Sequence, residues 1–167
     1  PGDQNRQLSE RVVVADGEVD GVAWRLEVYE SDAGLCADLR YYRGTSGGCG
    51  FDVPAQRVIG IGSARFGALQ AIYGPVRRNV ATIQVHLASG EIITVTPVGQ
   101  DLGFPVHFYV AVVPADDPAD VIVAFNTAGG GPGFVTSRRN LNRPVTHERS
   151  TNVERELVTG LSARVSY

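Results

Sequence analysis

Apolar side chains recur at every second position through residues 11–126, and this period confines the chain to half-buried β-strands. In Val22–Tyr29 one face carries Val22, Trp24, Leu26 and Val28, and the other Ala23, Arg25, Glu27 and Tyr29. The next run places Leu35, Ala37, Leu39 and Tyr41 inward, after a turn at Ser31-Asp32-Ala33-Gly34. Ile83, Val85 and Leu87 alternate with polar neighbours, and Ser89-Gly90 turns them into the run Ile92–Thr96. Residues 105–113 and 120–125 read as two more strands, and 58–63 and 68–73 as strands with less definite edges. Near the start, Arg11–Ala15 meets Asp16-Gly17, a two-residue hairpin signal. About nine or ten short strands at regular spacing predict an all-β chain, a sandwich or a barrel.

Cys36 and Cys49 stand at the two ends of a short segment that closes with Gly44-Thr45-Ser46-Gly47-Gly48, read as a flexible turn. An even count at close spacing suits a disulfide, and disulfides persist in oxidising compartments. Two free buried thiols are the alternative. Cys36 shares the more polar face of its strand with Asp38 and Arg40, which favours the disulfide. The expected location is therefore extracytoplasmic, secreted or at the cell surface. The absence of methionine, even at position 1, leads us to expect a processed mature form or an excised segment.

The formal net charge of -3 makes no electrostatic case for nucleic acid. All fifteen basic residues are arginine, as a GC-rich genome would give. No apolar run is long enough for a membrane helix, so membrane insertion by this segment is not expected.

The expected organisation is an N-terminal arm (1–10), the sandwich (11–127), a Gly/Pro hinge (128–133) and a C-terminal extension (134–167). The extension is polar and arginine-rich, and reads equally as a short capped helix or as a strand. Its apolar residues Leu157, Leu161, Val165 and Tyr167 need a surface to cover, in this chain or, by preference, in a neighbouring copy. With Tyr29 and Tyr42 they are the interface candidates.

No motif names a reaction. His86, His107 and His147 are scattered, and the acidic loop Asp116–Asp120 lacks the spacing of a calcium loop. The glycine-rich stretches 60–67 and 128–133 match no phosphate loop, and there is no nucleophile elbow. No catalytic residue, metal or cofactor is assigned.

Several segments carry a resemblance: Trp24-Arg25-Leu26, Gly34-Leu35-Cys36, Gly48-Cys49-Gly50-Phe51, Val53-Pro54, Tyr73-Gly74-Pro75-Val76 and Val85–Gly90. Together, over about residues 20–127, the chain resembles uncharacterised secreted or membrane-anchored domains of high-GC Gram-positive bacteria. The resemblance implies an Ig-like sandwich with no assigned activity.

The function expected is binding or scaffolding without catalysis, with a protein partner or copies of the chain itself. The alternatives are a self-assembling structural subunit joined through its arms and, behind it, a hydrolase with an unrecognised site. Alternation predicts that Trp24, Leu26, Leu39, Ile83, Val85, Val106, Phe108, Val110 and Ile122 are buried. Charge pairing across the second hairpin predicts Glu27 opposite Arg40 and Leu26 opposite Tyr41, because a shift by two would set like charges face to face.

Overall fold

The computed structural model describes residues 6–51, 58–126 and 132–137, the last for backbone alone. The described residues are all-β, with eleven strands and no helix. In chain order they are β1 (Val12–Val19), β2 (Val22–Ser31), β3 (Gly34–Tyr41), β4 (Gly44–Cys49), β5 (Gly62–Phe66), β6 (Leu69–Val76), β7 (Val80–Leu87), β8 (Ile92–Val95), β9 (His107–Pro114), β10 (Ala119–Asn126) and β11 (Pro132–Ser137). The chain divides into two compact units, Pro1–Asp52 and Val53–Tyr167.

The first unit is an antiparallel meander, β1-β2-β3-β4. Its first hairpin turns at Asp20-Gly21, where both residues have positive φ (50° and 76°), as a type I′ turn requires. Asp16-Gly17, the expected turn, instead runs inside β1, with Gly17 opposite Trp24. A Cβ on Gly17 would lie 2.7 Å from the indole, so glycine is needed here for close approach and not for turning. The segment 44–48 is likewise strand β4 and not a loop, and the chain reverses at Tyr42-Arg43. A Cβ on Gly47 would meet the Ala37 carbonyl oxygen at 2.4 Å, so β4 can pair this closely with β3 only through glycine.

The β2–β3 register also differs from expectation. Leu26 faces Leu39, Arg25 faces Arg40 and Glu27 faces Asp38. The tight turn at Asp32-Ala33 decides this. Ser31 pairs with Gly34, the Ser31 hydroxyl accepts from the Ala33 N–H (3.1 Å) and donates to the Gly34 carbonyl (3.0 Å), and Gly34 takes φ 97°. The like-charge pairs that result are relieved diagonally, as described below.

The second unit contains the sandwich: a sheet of order β5-β6-β9 and a sheet of order β11-β10-β7-β8, neither closed into a barrel. Ile72, Tyr109, Ala111 and Val113 from the first sheet pack with Ile83, Val85, Leu87, Ile122 and Ala124 from the second. Each fully buried aliphatic side chain contributes about 1.5–3 kcal/mol relative to exposure.

Of the residues expected in the core, Leu26, Leu39, Ile83, Val85, Val106, Phe108 and Ile122 are buried. Val110 and Trp24 are only half-buried. On β9 the sandwich core takes the opposite phase, Tyr109, Ala111 and Val113. The three-stranded sheet has buried residues on both faces, including Phe108 and Tyr73 away from that core, so alternation carries no phase information there. Trp24 lies over Gly17 near the end of its sheet, and its buried Nε1 has no hydrogen-bond partner.

Of the stretch 128–133 expected as a hinge, only Pro132 and Gly133 are described, and they are the first two residues of β11. β11 pairs antiparallel with β10 of the same chain, Ile122 opposite Thr136. Residues 128–131 and those beyond 137 lie outside the described residues. The start of the C-terminal extension is therefore an edge strand of this chain's own sheet.

Candidate functional site

Alternation gives the β1–β4 sheet two unlike faces. One carries Leu26, Val28, Ala37 and Leu39, all fully buried. The other carries Arg25, Glu27 and Tyr29 from β2 and Cys36, Asp38 and Arg40 from β3, with Arg11 entering ahead of β1.

Glu27 is the centre of the polar face. It is 6% exposed, and both its oxygens are engaged. Arg25 Nε lies 2.9 Å from Oε1 and Arg40 Nε 2.6 Å from Oε2, with Arg11 Nη1 3.6 Å from Oε2. Asp38, opposite Glu27, receives Arg11 Nη1 at 2.5 Å. The hydrogen bond to Asp38 is the largest influence on the Arg11 guanidinium and holds its pKa above the ordinary arginine value. One carboxylate thus bridges the two arginines that the register sets face to face, and a third arginine separates the two carboxylates. This arrangement accommodates the register that simple pairing rules disfavour. Glu27 and Arg40 do meet on the outer face, diagonally and not directly opposite.

Replacing Glu27 with alanine should therefore cost about 2 kcal/mol, less than a fully buried pair because the arginines keep access to water. The denaturant midpoint should fall, and added salt should recover part of the loss in the variant by screening Arg25 from Arg40. A midpoint unchanged by the substitution would remove Glu27 from its central place.

Toward the Asp20-Gly21 end the sheet bears an open groove of about 850 Å³. Its lining includes a continuous cross-strand row, Asp16, Arg25, Arg40 and Thr45, together with Glu18 and Trp24. The arginine side chains are about half exposed there, 54% for Arg25 and 41% for Arg40. Each uses its Nε on Glu27, so the two terminal nitrogens of each guanidinium have no protein partner among the described residues. No ion pair joins Asp16 or Glu18 to them among the described residues, although Asp16 is the cross-strand neighbour of Arg25.

At the far end of the polar face, Cys36 and Cys49 are directly opposite across β3 and β4 and form a disulfide. Tyr29 is 8% exposed, with the Arg11 guanidinium 4.0 Å above its ring, so it does not offer the open surface expected of it. Tyr42 is 82% exposed at the β3–β4 turn. Leu157, Leu161, Val165 and Tyr167 lie outside the described residues.

The other polar candidates are separate. His86 lies beside Gln84 at 3.3 Å, and burial lowers its pKa. Asp117 accepts from the Ser89 N–H (2.8 Å) and hydroxyl (2.6 Å), so this carboxylate of the acidic loop is committed to bracing the β7–β8 turn. No cluster of three metal-ligating side chains occurs among the described residues, nor is any helix long and apolar enough to cross a membrane.

Sequence reasoning missed the groove. Glu27 and Arg40 had a visible charge relation, but Arg11, Asp16, Arg25 and Thr45 join them only through a four-strand register. Comparison with protein families, with characterised proteins and with solved structures finds no match to this chain.

Proposed function

We propose that this chain is an extracytoplasmic binding module without catalytic activity, acting through the polar face of its disulfide-stapled β1–β4 sheet. The observation that carries this reading is the commitment of both Glu27 oxygens to Arg25 and Arg40. A carboxylate with both oxygens occupied by guanidinium groups has no open oxygen to offer a substrate, whereas guanidinium groups held at their Nε atoms are pre-set for recognition. The Cys36–Cys49 bond supports an oxidising compartment. The Ig-like character implied by the resemblance is consistent with a sandwich in the second unit.

A photo-crosslinking residue at Thr45, set against one at Asp116 in the other unit, tests the reading. A specific partner adduct from Thr45 alone is the expected result. Equal labelling from both positions, or none from Thr45, would end it. An adduct at the mass of two copies of the chain would instead support the self-assembling subunit. That alternative draws on Leu157, Leu161, Val165 and Tyr167 docking in a neighbour, and these lie outside the described residues; residues 132–137 pair with β10 of the same chain.

A further inference from the structure

Resting on that reading, we infer that the groove recognises a mixed-charge peptide segment, with an acidic side chain over Arg25 and Arg40 and a basic one over Asp16 and Glu18. The two arginines sit directly opposite in paired strands. Their Nε atoms are anchored on a single carboxylate, and the remaining guanidinium nitrogens have no protein partner among the described residues. Two such forks side by side match the two oxygens of one carboxylate. Thr45, next in the row, adds a hydroxyl.

The acidic residues decide what else the ligand carries. Asp16 is the neighbour of Arg25 on β1, and Glu18 lies two residues on, on the same face. Both are exposed and neither is neutralised by an ion pair among the described residues. A polyanion bound over the arginines would be repelled by them, so phosphate-rich or polyacidic ligands fit poorly. A cation placed beside the carboxylate would be attracted. Cross-strand side chains stand about 5 Å apart, so the two ligand charges must have a similar separation. Adjacent ammonium and carboxylate groups of a free amino acid are too close together, whereas a glutamate and a lysine two residues apart in an extended segment point to the same side, and their flexible side chains reach both. The groove is open, as an extended segment laid on a sheet face requires.

The full-length protein would be titrated by calorimetry with capped Glu-Lys, Glu-Glu and Lys-Lys peptides, each with one alanine between its two charged residues, and with inorganic phosphate. The Glu-Lys peptide should bind at least about tenfold more tightly than the other three probes, the scale of one lost charge-assisted contact. Arg25→Gln should weaken Glu-Lys binding by about tenfold, and Asp16→Asn by a few-fold. Arg25→Gln gives up the contact with Glu27 and should melt somewhat lower, so a cooperative transition well above the assay temperature is what shows that both variants fold. Equal or tighter binding of Glu-Glu or phosphate would overturn the mixed-charge assignment, as would indifference to Arg25→Gln or no response to Glu-Lys. Each of these results leaves the Thr45 crosslinking outcome independent, so failure of the ligand class is distinguishable from failure of the binding reading.

Discussion

Removal of the Cys36–Cys49 bond by a Cys36→Ala/Cys49→Ala double substitution is expected to destabilise the first unit by about 3 kcal/mol. The bond closes a loop of sequence separation 13 and joins β3 to β4 at directly opposite positions. Chain-entropy reasoning assigns that figure to a loop of this length. β4 depends on the bond more than most strands would. Of its six residues, three are glycine, so it brings few side chains to hold it and loses much backbone entropy on ordering. The denaturant midpoint should drop, and amide exchange should accelerate first in residues 44–49. A double variant with the parent midpoint would mean that the ladder alone holds β4. Mass spectrometry of the unreduced exported protein checks the bond itself, since the bonded form lacks two hydrogens and two alkylatable thiols would refute it.

Gly74→Ala should be as damaging, at about 3 kcal/mol, the upper part of the range for overpacking. A Cβ at Gly74 would lie 2.2 Å from the Gly60 carbonyl oxygen and 2.8 Å from its carbon. Both contacts are with backbone, which cannot swing aside as a side chain does. The Gly60 carbonyl is also held by the Tyr109 hydroxyl, which donates to it at 3.0 Å. Tyr109 is paired with Gly74 across β6 and β9 and reaches past that strand to Gly60. An alanine would push Gly60 away, break its N–H bond to the Pro75 carbonyl (2.8 Å) and leave a fully buried tyrosine hydroxyl without its acceptor. Thermal unfolding of Gly74→Ala beside the milder Tyr109→Phe checks this. Equal midpoints for the parent and Gly74→Ala would refute the close approach.

These two cases show why the glycines misled sequence reasoning. Gly17, Gly44 and Gly62 lie inside strands beneath Trp24, Tyr41 and Tyr73, each opposite its aromatic partner. A glycine that lets an aromatic ring lie across the neighbouring strand looks, in sequence, like one that turns the chain. The partner that tells them apart is seven residues from Gly17 but three from Gly44 and eleven from Gly62, so no fixed spacing reveals it. Asp16-Gly17 and Asp20-Gly21 are the same dipeptide, and only the second is a turn.

Residue order alone determined the all-β class, because period-two alternation is incompatible with any other way of burying these side chains. It also determined the apolar face of β2 and β3 and the core residues of β7, which follow from neighbours a few positions apart, and it favoured the cysteine pairing. Tertiary structure alone decided the register at Asp32-Ala33, the phase of β9 and the division into two units. It also decided the gathering of Arg11, Arg25, Arg40 and Asp38 around Glu27. The physical reason is range. A strand's two faces are set by the geometry of its own backbone, whereas the charges that meet on one face are set by how four strands slide past one another. That sliding settles where turn hydrogen bonds, glycine clearances and diagonal ion pairs are satisfied together.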